Sequence, residues 1–115
     1  MITVTPTAIT GGEAFDASTP LGALNSFYRA FNNRDLDGMR ANWHPEECIL
    51  DNPLGGIRRG WAEIEPLYAR LFTGPARVYV EFHDYSLHVG ADLFVAAGRE
   101  RGQYVRDGLT LDLAI

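Results

Sequence analysis

The sequence predicts an α+β fold, a cone of three N-terminal helices packed on a curved antiparallel sheet. Apolar residues recur at helical spacing in three successive stretches between Leu21 and Phe72. Strand-like alternation then takes over from Arg77 to Ile115. A chain of 115 residues, 46% of them hydrophobic, suits one domain with one core. The organising stretch reads helix (Leu21–Asn33), short helix (Asp35–Trp43), strand (Glu47–Asn52), tight turn (Pro53–Gly60) and helix (Trp61–Phe72).

Residues 1–18 are rich in Thr, Gly and Pro and have no sustained period, so they form an extended arm or a loose tail, and residues 19–115 form the single domain. Thr19-Pro20 supplies an N-cap with proline at the first helical position. Leu21, Leu24, Phe27, Tyr28 and Phe31 make the first stripe. Asn33-Arg34 breaks this helix, and Asp35 caps a second one edged by Leu36, Met39 and Trp43. Pro45 ends it, because proline disfavours a helical conformation at His44 and lacks an N–H donor.

Cys48, Ile49 and Leu50 read as a short buried strand, followed by turn signals at Asn52-Pro53 and Gly55-Gly56 and a second short extended piece at Ile57-Arg58-Arg59. Trp61, Ile64, Tyr68, Leu71 and Phe72 form the third stripe. Pro66 falls inside it, at a cost of ~3 kcal/mol if truly interior. One loose turn at Trp61–Ile64, with the regular helix starting at Glu65, avoids that cost. In the strand after Gly74-Pro75, Val78, Val80 and Phe82 share one face, and the apolar phase then switches to Tyr85, Leu87 and Val89. Such a switch predicts a bulge near His83-Asp84. Gly90-Ala91-Asp92 turns the chain into a buried strand at Leu93–Gly98. Asp107-Gly108 turns it again into Leu109–Ile115, which is still in full apolar rhythm at the last residue.

Several function classes fall away. A net charge of −5 leaves no electrostatic footprint for nucleic acid or an anionic membrane. No apolar run approaches the ~20 residues of a membrane span, and the N-terminus has no secretory pattern. All basic residues are arginine, so a lysine Schiff base and a phosphate-loop lysine are excluded. Cys48 is the only cysteine, which forbids an internal disulfide and makes a cytoplasmic location the default. No metal spacing is recognised around His44-Pro45-Glu46-Glu47, so no metal is expected.

The run Phe27-Tyr28-Arg29-Ala30-Phe31-Asn32-Asn33-Arg34-Asp35-Leu36-Asp37-Gly38-Met39 resembles the first two helices of the nuclear-transport-factor-2-like superfamily. That group includes ketosteroid isomerase and the SnoaL-like polyketide cyclases. Asp51-Asn52-Pro53 ending a strand, then Gly60-Trp61 opening a helix with Ile64, match as well. The resemblance implies a cofactor-free pocket protein for a small hydrophobic molecule. Isomerase activity does not carry over. The resemblance puts the catalytic aspartate immediately before the proline, where this chain has Asn52, and aligns the oxyanion tyrosine with Phe27, leaving Tyr28 about 100° round the helix. Its second acid falls at or just beyond Ile115. The fold normally finishes with one more long strand. Here that strand is missing or shortened, by truncation or as a variant whose edge a partner covers. An uncovered apolar edge invites aggregation, so a homodimer through the sheet is expected.

The candidate catalytic residues are Asp51, Asn52, His83 and Tyr28. Adjacent strand residues point to opposite faces, so only one of Asp51 and Asn52 faces inward. Asp51 inward is a general base, Asn52 inward is a neutral donor–acceptor, and the plain alternative is an Asx turn before Pro53. His83 sits where a bulge could aim it at the pocket. Phe27, Phe31, Trp43, Leu50, Trp61, Ile64, Tyr68 and Phe72 are the candidate pocket lining, with plain core as the alternative. Arg99-Glu100-Arg101 reads as a solvated or cross-strand paired face. Two classes stay open: a cofactor-free acid–base enzyme, or a non-catalytic ligand-binding or dimeric assembly module.

Overall fold

A computed structural model describes residues 1–52 and 55–115. The turn expected at Asn52-Pro53 therefore lies partly outside the described residues. The elements run α1 (Pro20–Asn32), α2 (Leu36–Arg40), β1 (Ile49–Asn52), β2 (Gly56–Arg59), α3 (Trp61–Thr73), β3 (Arg77–Val89), β4 (Phe94–Arg106) and β5 (Leu109–Ala114). The described strands form two antiparallel sheets, the hairpin β1-β2 and the three-stranded β3-β4-β5.

The caps act where the sequence places them. The Thr19 side chain accepts from the Gly22 N–H and the Asp35 side chain from the Gly38 N–H. α2 is shorter than Asp35–Trp43, because after Arg40 the chain tightens into turns with Asn42 N–H on Met39 O and Trp43 N–H on Arg40 O. α3 has no loose first turn. It is one helix with Pro66 inside, held by the burial of Trp61, Ile64, Tyr68 and Phe72 along one stripe. Burying four large side chains, at about 1.5–3 kcal/mol each, outweighs one proline.

Two apolar clusters make the core. In the helical cluster, Ala30, Met39, Cys48, Trp61, Ile64, Tyr68 and Phe72 pack with Phe31, Trp43 and Leu50 at its margin. The sheet cluster gathers Ile9, Tyr28, Val80, Phe82 and Tyr85, with Leu113 against it. Phe27 and Phe31 touch both clusters. Arg34, at φ 55°, spreads its guanidinium over the end of α3, donating from Nε to Phe72 O (2.7 Å) and from Nη2 to Gly74 O (2.8 Å). It thereby satisfies carbonyls that a helix C-terminus leaves open.

The arm lies along β3. Thr5 and Tyr85 exchange backbone hydrogen bonds, as do Ile9 and Phe82. Polar side chains of α1 hold it there: the Asn25 amide bonds Glu13 O (2.7 Å), and Asn32 bonds Thr10 O and both backbone groups of Val80.

The bulge expected near His83-Asp84 is present as a register shift between His83 and Ser86, with Asp84 at φ 49°. Val78, Val80 and Phe82 face the helices before it, and Tyr85 does so after it. Gly98 lies opposite the bulge, where an added Cβ would come within 2.7 Å of the Phe82 ring and 2.8 Å of His83 O. Two strand readings need correction. Ile49 is exposed, so β1 buries one face only, and Leu93 and Val95 are exposed, so the start of β4 alternates instead of being buried throughout.

Candidate functional site

The sheet register decides which side chains can meet. Phe82 lies opposite Glu100, and Tyr28 of α1 stacks on the Phe82 ring at 5.8 Å. Glu100 therefore faces the helices. It is the middle residue of a charged triplet, and alternation turns Arg99 and Arg101 to the outer face. The Tyr28 hydroxyl donates to Glu100 Oε2 at 2.9 Å. Burial first, then the Glu100 charge and this hydrogen bond, push the Tyr28 phenol far above its ordinary range. Tyr68, buried in the helical cluster, is pushed up by burial and by the same carboxylate. Glu100 thus acts on two buried phenols, from α1 and α3, and adds to the burial that raises both.

Beside this pair opens a cleft of about 420 Å³ between α1 and the first half of β4, lined by Leu24, Phe27, Tyr28, Trp43, Phe82, Phe94 and Ala96 among others. Its walls are mostly apolar and aromatic, as small-molecule sites are. Tyr28 belongs both to the cleft wall and to the hydrogen bond with Glu100. A second cleft of about 340 Å³ adjoins it between Ala17–Pro20 and the β3–β4 turn, sharing Ala23 and Phe94.

The four candidate catalytic residues do not converge. Tyr28 is buried at the cleft. Asp51 is exposed, opposite Ile57 in the hairpin. Asn52 is half-buried and shares its face with Leu50, which packs on the helical cluster. His83 is the clear correction. It lies opposite Arg99 on the outer face, where its Nε2 meets Glu81 Oε1 at 3.0 Å. The bulge changes the alternation only after His83, so it turns Tyr85 inward and leaves His83 outward. Of the candidate pocket residues, Phe27 and Trp43 line the cleft, while Phe31, Leu50, Trp61, Ile64, Tyr68 and Phe72 belong to or border the helical cluster.

Glu100 is the residue that sequence reasoning missed. The available signal was the even alternation Phe94, Ala96, Gly98, which reaches Glu100 when continued. Among the described residues, no three His, Cys, Asp or Glu side chains gather to hold a metal ion, and no helix is long and apolar enough to cross a membrane.

A model of the SnoaL-like domain matches residues 24–113. The chain belongs to the SnoaL-like family. It is thereby a member of the nuclear-transport-factor-2-like superfamily, and the three helices and two antiparallel sheets among the described residues are consistent with that α+β fold. No curated protein and no solved structure matches this SnoaL-like chain.

Proposed function

We propose that this SnoaL-like chain is a small-molecule pocket protein, a cone whose cleft takes a mainly apolar molecule and performs cofactor-free acid–base chemistry on it. The observation that carries this reading is Tyr28, which lines an apolar cleft while its hydroxyl donates to the Glu100 carboxylate. A phenol whose proton points at a carboxylate offers its oxygen lone pairs to a hydrogen-bond donor in the cleft. A ligand O–H can then pass its proton to the Tyr28 oxygen as the Tyr28 proton moves to Glu100. The transfer has to be concerted, because the buried site disfavours a free phenolate. Returning the proton to another atom of the same molecule gives an isomerisation or cyclisation that needs no co-reactant.

A second reading, a non-catalytic binding module, is favoured by the dispersal of Asp51 and His83 away from Tyr28. In both readings residues 19–115 work as one domain, with residues 1–18 as its arm.

Native mass spectrometry of the protein as purified, against its denatured mass, tests the pocket. A noncovalent passenger is expected on the wild type and not on Ala96→Trp, which fills the cleft. Capture unchanged by Ala96→Trp would overturn the cleft as the site. Glu100→Gln separates the two readings, because it is expected to retain the passenger and, in the enzyme reading, to abolish its conversion.

A further inference from the structure

The second cleft has no part in the contact between Tyr28 and Glu100, yet it continues the first. Ala23 and Phe94 line both. Along α1 the wall runs from Thr19 and Pro20 past Ala23 to Phe27 and Tyr28, so one side of the helix serves the two clefts in line. Ala23 lies one turn from Thr19 and one turn from Phe27, and its methyl is the smallest side chain on that line, standing where the clefts meet. Between Thr19 and Tyr28 the helix rises roughly 14 Å. That is the span of about a dozen bonded chain atoms.

The far end of this line is apolar. Val89 and Leu93, at the β3–β4 turn, line the second cleft while 64% and 73% exposed, and they give it an uncovered hydrophobic lip. The hydroxyls there are committed to the turn before α1. Ser18 Oγ donates to Asp16 Oδ1 at 2.8 Å, and Thr19 Oγ1 donates to Asp16 O and accepts from the Gly22 N–H. Charge narrows the occupant further. Among the described residues no arginine and no histidine lines either cleft, whereas Glu100 stands behind Tyr28 at one end and Asp92 lines the other. An anionic group would lose water in this site and meet only carboxylates.

We infer that the molecule taken here is a neutral amphiphile, with a hydroxyl-bearing head at Tyr28 and an unbranched apolar tail that crosses Ala23 and lies against Val89 and Leu93. Resting on the Tyr28 cleft as the binding site, this adds a tail subsite and makes Ala23 the residue that sets how long a tail is admitted. Fatty acids are refused for their charge although their tails have the right length.

Isothermal titration calorimetry with para-alkylphenols, from methyl to octyl, is the test. The phenol head suits the Tyr28 cleft and the chain reports on the subsite. On the wild type each added methylene is expected to tighten binding by roughly two- to fourfold. Ala23→Leu adds bulk where the clefts meet and keeps a good helix former. It is expected to bind para-cresol within about twofold of the wild type and to lose most of the gain from longer chains. Leu93→Ser, on the exposed lip, is expected to leave para-cresol unchanged and to weaken para-octylphenol by roughly threefold or more. Decanoate is expected to bind at least about tenfold more weakly than decanol. Affinity independent of chain length, with para-cresol still bound, would overturn the tail subsite and leave the Tyr28 cleft standing. A chain-length gain that persists in both variants would also overturn it. Decanoate binding as tightly as decanol would overturn the neutral class. Failure of every phenol to bind would overturn the cleft itself, and the subsite with it.

Discussion

Two tyrosine–glutamate pairs occupy opposite faces of the three-stranded sheet. On the inner face Tyr28 reaches Glu100 across the core, from α1 to β4, at 2.9 Å. On the outer face Tyr79 reaches Glu81, two residues along the same strand, at 2.5 Å, and Glu81 also meets His83. The chemistry is the same and the surroundings differ. Burial is the largest cause raising the Tyr28 phenol. For Tyr79, 43% exposed, the hydrogen bond to Glu81 comes first and the phenol is pushed up to about 12. The shorter bond is the less consequential one, because water can replace either partner on the outer face. Distance alone would rank the two sites in the wrong order.

Replacing each member should expose the contrast. Tyr28→Ala removes a buried aromatic ring and is expected to cost about 3–5 kcal/mol of unfolding free energy, whereas Tyr79→Ala should stay below about 1 kcal/mol. Chemical denaturation measures both, and equal losses would erase the distinction between the faces. Tyr28→Phe keeps the ring but leaves the Glu100 carboxylate without its hydroxyl partner. A loss of about 1.5–3 kcal/mol is expected, together with a loss of conversion in the cleft if the acid–base reading holds.

A pH titration sharpens the comparison further. Both phenols are raised in the folded state, so they contribute stability that is complete below the ordinary tyrosine value near 10 and is lost as pH rises through the folded one. Tyrosinate absorbance should report Tyr79 near pH 12, with Tyr28 appearing only on unfolding. The smallest effect is expected from His83→Ala, which breaks an outer-face contact. Unfolding free energy should move by less than about 0.5 kcal/mol and passenger capture should be unchanged. A lost passenger would return His83 to the site.

The same contrast explains what the sequence made legible. The helices and their caps could be read because their signals are local: Thr19-Pro20, Asp35 and the stripes of α1 and α3 each act within a few residues. Even the bulge was legible, since a change of apolar phase within β3 records a change of face. The inner pair was not. Tyr28 and Glu100 lie on α1 and β4, and the one local hint, the alternation Phe94, Ala96, Gly98 carried on to Glu100, is obscured by the charged neighbours Arg99 and Arg101. Asp51 and His83 drew attention through their residue types, but register places Asp51 in solvent and His83 on the far face. Asn25 and Asn32 fall between the apolar positions of the first stripe. Their amides instead hold the arm, whose contacts belong to a segment without any period of its own.

That arm imposes an order of events on folding. Ile9 is fully buried, and its backbone partner Phe82 belongs to a strand that leaves the ribosome much later. The arm is thus made well before the strand it docks on, and Ile9 can take its buried place only once β3 is there to receive it. Closing so long a loop raises the contact order of an otherwise local, helix-led fold and slows its final step. A nascent chain would spend that interval with Val80, Phe82 and Tyr85 uncovered, which is when a chaperone or a neighbouring chain has access to them.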